Sequence, residues 1–117
     1  MIPARMQGEE RSTFLKIARA ITLAAVLATA IVPVFAQGAD TYKAKCQMCH
    51  GAAGLADSGA GKAMHVKPIT DPDVQKQTEA QMIEAVTNGS GKMQAFKGKL
   101  TDAQIKDAVD FFRSFIK

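Results

Sequence analysis

The clearest periodicity closes the chain. Ile105, Ala108, Val109, Phe112, Phe115 and Ile116 recur at helical spacing, and Thr101 with Gln104 makes a capping-box pattern just ahead of them. A second such pattern, Thr78 with Gln81, precedes Met82, Ile83 and Val86 on one face, and Gly89 stands where a helix-ending glycine belongs. Asp71-Pro72 reads as an N-cap followed by proline at the first helical position, opening a short turn through Lys76. Asp40 to Met48 reads as a further helix, with Tyr42 and Ala44 as apolar positions and Gly51 to end it. Between Gly51 and Lys67 the chain is rich in Gly and Ala, with Gly51, Gly54, Gly59 and Gly61 as breakers; this predicts a loop with one helical turn near Lys62–His65. No alternating β-branched run interrupts these patterns. The expected fold is all-α: about four short helices, the first and last packed together, with Tyr42 lying across the Phe112 region.

The N-terminal third follows a different pattern. Arg5, Arg11, Lys16 and Arg19 precede an uncharged run from Ala20 to Val32, Pro33 breaks it, and Val34-Phe35-Ala36 supplies small-x-small before Gln37. The run is shorter than the ~20 apolar residues a spanning helix needs. Residues 1–36 are therefore expected to be a removed signal peptide and 37–117 the working domain, exported to the periplasm with no membrane anchor left after cleavage. A retained anchor would require cleavage at Ala36 to fail.

Composition then narrows the chemistry. The 117 residues are 47% hydrophobic, which suits one globular domain. Removing residues 1–36 leaves 81, with eleven Lys/Arg against nine Asp/Glu and a charge of +2. A chain that small often needs a disulfide, metal or cofactor to complete its core. Two cysteines, Cys46 and Cys49, are too few for a disulfide framework or an all-cysteine zinc site.

Cys46-Gln47-Met48-Cys49-His50 is the C-x-x-C-H pattern of covalent haem attachment. Thiols at i and i+3 on one helical turn point the same way and can add to two neighbouring vinyl groups, while His50 follows directly as an axial ligand. A redox dithiol would want a βαβ context. Zinc would want four ligands, for which Cys46, Cys49, His50 and His65 are the only candidates. For the opposite face of the iron, Met82 reads as core and Met48 is trapped between the two anchors. That leaves Met93, in the glycine-rich Asn88–Phe96 stretch, then Met64 or His65 in the loop, or an open site.

Taken together, Tyr42-Lys43-x-Lys45-Cys46-x-x-Cys49-His50-Gly51, then Asn88-Gly89-x-Gly91-Lys92-Met93-x-x-Phe96, then a helix opened by Thr101, resemble the small class I c-type cytochromes over the whole of 37–117. The resemblance implies one covalent haem c held by Cys46 and Cys49, His50 as proximal ligand and Met93 as distal ligand. It further implies a monomeric one-electron carrier of the respiratory-chain type, not itself an enzyme. Two departures are visible: Gln94 follows Met93 where many members have proline, and the carbonyl that accepts the proximal ring N–H is either that of Pro68 or one in Gly59–Gly61.

Charge and the remaining surface separate the readings. Lys43, Lys45, Lys62, Lys67, Lys92, Lys97 and Lys99 gather around the two motifs with little acid between them, which suits docking on acidic faces of redox partner proteins. An export signal and a small net charge exclude nucleic acid as a partner. The alternatives are a haem subunit permanently docked on a dehydrogenase or oxidase, for which Phe111 off the main stripe is the one surface hint, and an open-site haem protein binding a gas or peroxide.

Overall fold

The computed structural model describes residues 13, 15, 16 and 33–117, and the chain divides into two units, Met1–Val32 and Pro33–Lys117. Within the first unit Thr13, Leu15 and Lys16 are helical and exposed. The rest of the expected signal peptide up to Val32, including the Ala20–Val32 run, lies outside the described residues. Among the described residues no helix is long and apolar enough to cross a membrane.

The second unit contains α1 (Val34–Lys45), α2 (Gln47–His50), α3 (Gly59–Ala63), α4 (Pro72–Gln75), α5 (Glu79–Asn88) and α6 (Asp102–Arg113). The architecture is all-α, and α1 packs chiefly on α6. Both capping boxes form. Thr78 accepts from Gln81 N at 3.2 Å while Gln81 accepts from Thr78 N at 2.8 Å, and Thr101 with Gln104 does the same at 3.1 and 2.9 Å. Each cap satisfies a donor the helix start leaves orphaned, worth about 1 kcal/mol. At α4, Asp71 accepts from Asp73 N and Pro72 takes the first helical position.

Both ends of α1 differ from the sequence expectation. α1 starts at Val34, not Asp40, because Pro33 is itself extended and serves as N-cap, its carbonyl accepting from Ala36 N at 2.9 Å. The Ala36–Gln37 junction thus falls in the first turn of α1. At its other end α1 stops at Lys45, where Cys46 turns to φ −116° and α2 begins as a separate turn.

The α1–α6 crossing is tight at Gly38: a Cβ there would collide with the main-chain carbonyl of Asp107. Four residues on, Tyr42 is 2% exposed and sits among Phe111 at 5.3 Å, Phe115 at 5.9 Å and Phe112 at 6.0 Å between ring centres. Phe111 also packs on Phe115 at 5.1 Å, so the residue read as a hint of an outer docking face is committed to this cluster. α5 and α6 share the other half of the core: Met82, Phe96, Ile105 and Val109 are buried together, with Ile83, Val86, Leu100 and Phe112 against them. α6 ends at Arg113, so Phe115 and Ile116 follow the helix instead of lying on it.

Candidate haem-attachment site

α2 presents the C-x-x-C-H residues. The Cys46 carbonyl accepts from Cys49 N at 3.2 Å and from His50 N at 2.9 Å, and the Gln47 carbonyl accepts from Gly51 N at 2.8 Å. These bonds wind both thiols and the imidazole onto one turn. The cysteines are free and half-buried, and burial pushes the Cys46 thiol up to about 11, which keeps it as S–H at neutral pH. Met48, between the two cysteines, is 75% exposed.

The following loop folds back beneath this turn. Ala56 N donates to the His50 carbonyl at 2.8 Å, and the Ser58 hydroxyl donates to the Met48 carbonyl at 2.6 Å. α3, capped by Ser58, then lays Gly61 directly on the Cys49 carbonyl, where a Cβ would collide. Gly59 and Gly61, read as breakers, lie within α3; at Gly61 only a residue without a side chain lets α3 approach α2 so closely. The Tyr42 hydroxyl donates to the Gly51 carbonyl at 2.7 Å. Burial, with Cys46 and Asp57 close by, pushes that phenol well above its ordinary range, so it stays a donor.

His50 is half-buried with Phe112 edge-on to its ring at 5.4 Å. Burial lowers its pKa, which favours the neutral imidazole that binds metal. Its Nδ1 is buried with no hydrogen-bond partner. Neither the Pro68 carbonyl nor the Gly59–Gly61 backbone takes it in this structure. An orphaned buried polar atom costs about 1–3 kcal/mol; what fits covalent haem is the turn itself, with two free thiols and an imidazole wound together. Zinc fits poorly. Among the described residues no three His, Cys, Asp or Glu stand close enough to share a metal ion, and His65 is exposed in a left-handed conformation at φ +55°.

Met93 is half-buried and closes a four-residue turn, in which Ser90 N donates to the Met93 carbonyl at 3.1 Å and Met93 N to the Ser90 carbonyl at 2.9 Å. Gly89 and Gly91 carry the positive φ values, +82° and +55°. Downstream, Phe96 N and Lys97 N donate to the Val86 and Thr87 carbonyls, stitching the loop to the end of α5. Met82 is core, as expected, and Met64 is half-buried after α3. Sequence reasoning placed Tyr42 near Phe112 but missed its hydroxyl bond to Gly51 and the supporting contacts of Ser58 and Gly61. Only the aromatic four residues before Cys46 was there to be noticed.

Residues 33–112 match the family model described as cytochrome C oxidase, cbb3-type, subunit III. A cytochrome c6 of Leptolyngbya boryana is 38% identical over 71 residues, which cover 61% of this chain and 80% of that protein. The solved structure of KustC0563 c-type cytochrome superposes with a TM-score of 0.62 at 30% identity, over 68% of this chain and 98% of the other. With the all-α frame and the thiol–imidazole turn already described, these likenesses assign both cofactor and class: the chain belongs to the cbb3-type cytochrome c oxidase subunit III family, a small class I c-type cytochrome and electron carrier whose cofactor is covalent haem c.

Proposed function

We propose that the protein is a periplasmic one-electron shuttle, not itself an enzyme, with haem c bound through Cys46 and Cys49, His50 as proximal ligand and Met93 as distal ligand. The observation that carries this reading is the single turn that holds two free, half-buried thiols beside the half-buried His50 imidazole. Bound haem c supplies an iron that gains and loses one electron. The chain's residues do the rest. Cys46 and Cys49 hold the group through thioethers, which fixes it to α2, and Phe112 holds the imidazole from the side. The Met93 thioether is a weak donor and favours the reduced state. With His50 and Met93 both holding the iron, oxygen and peroxide would find no coordination site, as a carrier requires.

Lys43, Lys45, Lys62, Lys92, Lys97 and Lys99 are exposed and suit acidic partner faces, so electron exchange with such partners slows as ionic strength rises. Lys67 drops out of that set because it is paired with Asp73 at 2.8 Å and Asp71 at 3.7 Å. Exposed Val34 and Phe35 precede the Ala36 junction and leave with the signal peptide on this reading, and half-buried Phe111 packs on Tyr42 and Phe115. Both points favour a free carrier over a permanently docked subunit.

The visible spectrum of the purified ferric protein tests the ligands. A weak sulfur-to-iron charge-transfer band is expected, lost in Met93→Ala and retained in His65→Ala and Met64→Ala, with no carbon monoxide binding to the reduced wild type. Rapid carbon monoxide binding, or a band that survives Met93→Ala, refutes the distal assignment. Intact mass then reads the haem adduct and the Ala36 cleavage together, and elution of the native protein only within a large complex overturns the free carrier.

A further inference from the structure

Tyr42 touches the environment of His50 at two points. Its hydroxyl donates to the carbonyl of Gly51, the residue directly after the histidine, at 2.7 Å. Gly51 stands at φ +81°, a conformation that L side chains rarely adopt. The same carbonyl receives a longer bond from Gly54 N at 3.3 Å, so the phenol is its closer donor. The second point of contact is the ring. Tyr42 stacks on Phe112 at 6.0 Å with an interplanar angle of 23°, and Phe112 stands edge-on to the His50 imidazole at 5.4 Å.

A metal-bound imidazole is ordinarily oriented by a hydrogen bond from its other ring nitrogen. In this chain that nitrogen, Nδ1, is buried and has no such partner. The ring's orientation therefore falls to packing by Phe112 and to the main chain on either side of His50. Tyr42 braces the first directly and holds the second through Gly51.

We infer that Tyr42 is a positioning residue for His50: its hydroxyl, bonded to the Gly51 carbonyl, and its ring, stacked on Phe112, set the imidazole and thereby tune the haem's reduction potential. The inference rests on His50 being the proximal ligand. Its sign follows from charge. A carbonyl oxygen carries partial negative charge that favours ferric iron, and a donor on that oxygen offsets it. Removing the donor leaves the carbonyl bare or open to water, and both favour the oxidised state.

The test exploits Tyr42 being the chain's single tyrosine. Tyr42→Phe keeps the ring and removes the donor; biosynthetic incorporation of 3-fluorotyrosine keeps the donor, makes it more acidic, and alters this position alone. In the haem-loaded protein, Tyr42→Phe is expected to raise the ferric-to-ferrous ratio at fixed poise by about threefold, roughly 30 mV lower for a one-electron couple. The fluorotyrosine protein should move the opposite way. The low-spin ferric electron paramagnetic resonance of Tyr42→Phe should also change its g-value spread as the imidazole plane loosens. Unchanged midpoints, or shifts of the same sign in both proteins, would refute the positioning role even if melting temperatures fall. Should Tyr42→Phe load no haem, the fluorotyrosine midpoint decides alone. Failure of the underlying reading looks different: wild-type ferric proton resonance lacking hyperfine-shifted imidazole signals would remove His50 as ligand before any Tyr42 comparison.

Discussion

The His50 turn and the Met93 turn each present one candidate ligand from about four residues, yet they are held in different ways. Around His50 the constraints come from distant parts of the chain. Tyr42 of α1 bonds Gly51, Phe112 of α6 lies against the imidazole, and Gly61 of α3 presses on the Cys49 carbonyl. Around Met93 the main-chain pair with Ser90 is local, a Cβ on Gly91 would meet nothing within 4 Å, and Ser90, Gly91 and Lys92 are exposed. One ligand is set by the tertiary fold, the other by a short turn anchored at Phe96. The proximal side should therefore report on global stability, and the distal side should open on its own.

Paired glycine substitutions test that contrast with the largest effect. Gly61→Ala gains helix propensity, about 1 kcal/mol, but its Cβ meets main-chain carbonyls of Cys49 and Ala56 that no rotamer change can move. A net loss of about 2 kcal/mol is expected, a fall of roughly 10 °C in the melting of a domain this size. Gly91→Ala meets no neighbour and carries only its left-handed φ of +55°, a cost of about 1 kcal/mol. Calorimetry of the haem-loaded variants checks the order. Equal losses would mean that the two turns are not differently constrained.

The parts of the fold legible in sequence are those fixed by local period and local capping. Ile105, Ala108 and Val109 are buried on α6 as their spacing required, and both Thr–Gln capping boxes form. What was not legible depends on contacts between segments far apart in sequence. Gly59 and Gly61 read as breakers because spacing alone carries no record of the α2 carbonyl that Gly61 rests against. Pro33 read as the end of a leader, although an extended proline is also a good start for α1. Phe111 read as an outward residue until the α1–α6 crossing at Gly38 brought Tyr42 onto it. At the site, the C-x-x-C-H turn was plain from spacing. The missing partner of His50 Nδ1 was not, since it depends on where the loop folds its carbonyls around the ring.

A denaturant titration of the ferric protein sharpens the comparison at intermediate size. Loops with few buried apolar contacts open at free energies below that of global unfolding. The sulfur-to-iron band should fade at lower denaturant than the far-ultraviolet helix signal. A His50→Met93 unit that opens as one would give coincident transitions, and the asymmetry between the turns would then be only geometric.

The smallest expected effect, and the most selective, is Gln94→Pro. Gln94 N donates no main-chain hydrogen bond among the described residues, so proline removes none there. The Gln94 side chain accepts from Lys99 Nζ at 2.8 Å on the exposed surface, a contact worth only a few tenths of a kcal/mol in water. Against that loss, proline narrows the unfolded and opened ensembles of the loop by about 0.4–1 kcal/mol where its backbone fits. The Ser90–Met93 main-chain pair lies before the substitution and loses no donor to it. The net gain, about 0.5 kcal/mol, should fall on the distal turn alone: the denaturant midpoint of the sulfur-to-iron band rises, while the helix signal keeps its own. A shift of both midpoints would show that the Met93 turn is coupled to the helical frame. A fall of the first alone would mean that the backbone at position 94 rejects proline, and that the flexibility of this turn belongs to its geometry and not to the residue found there.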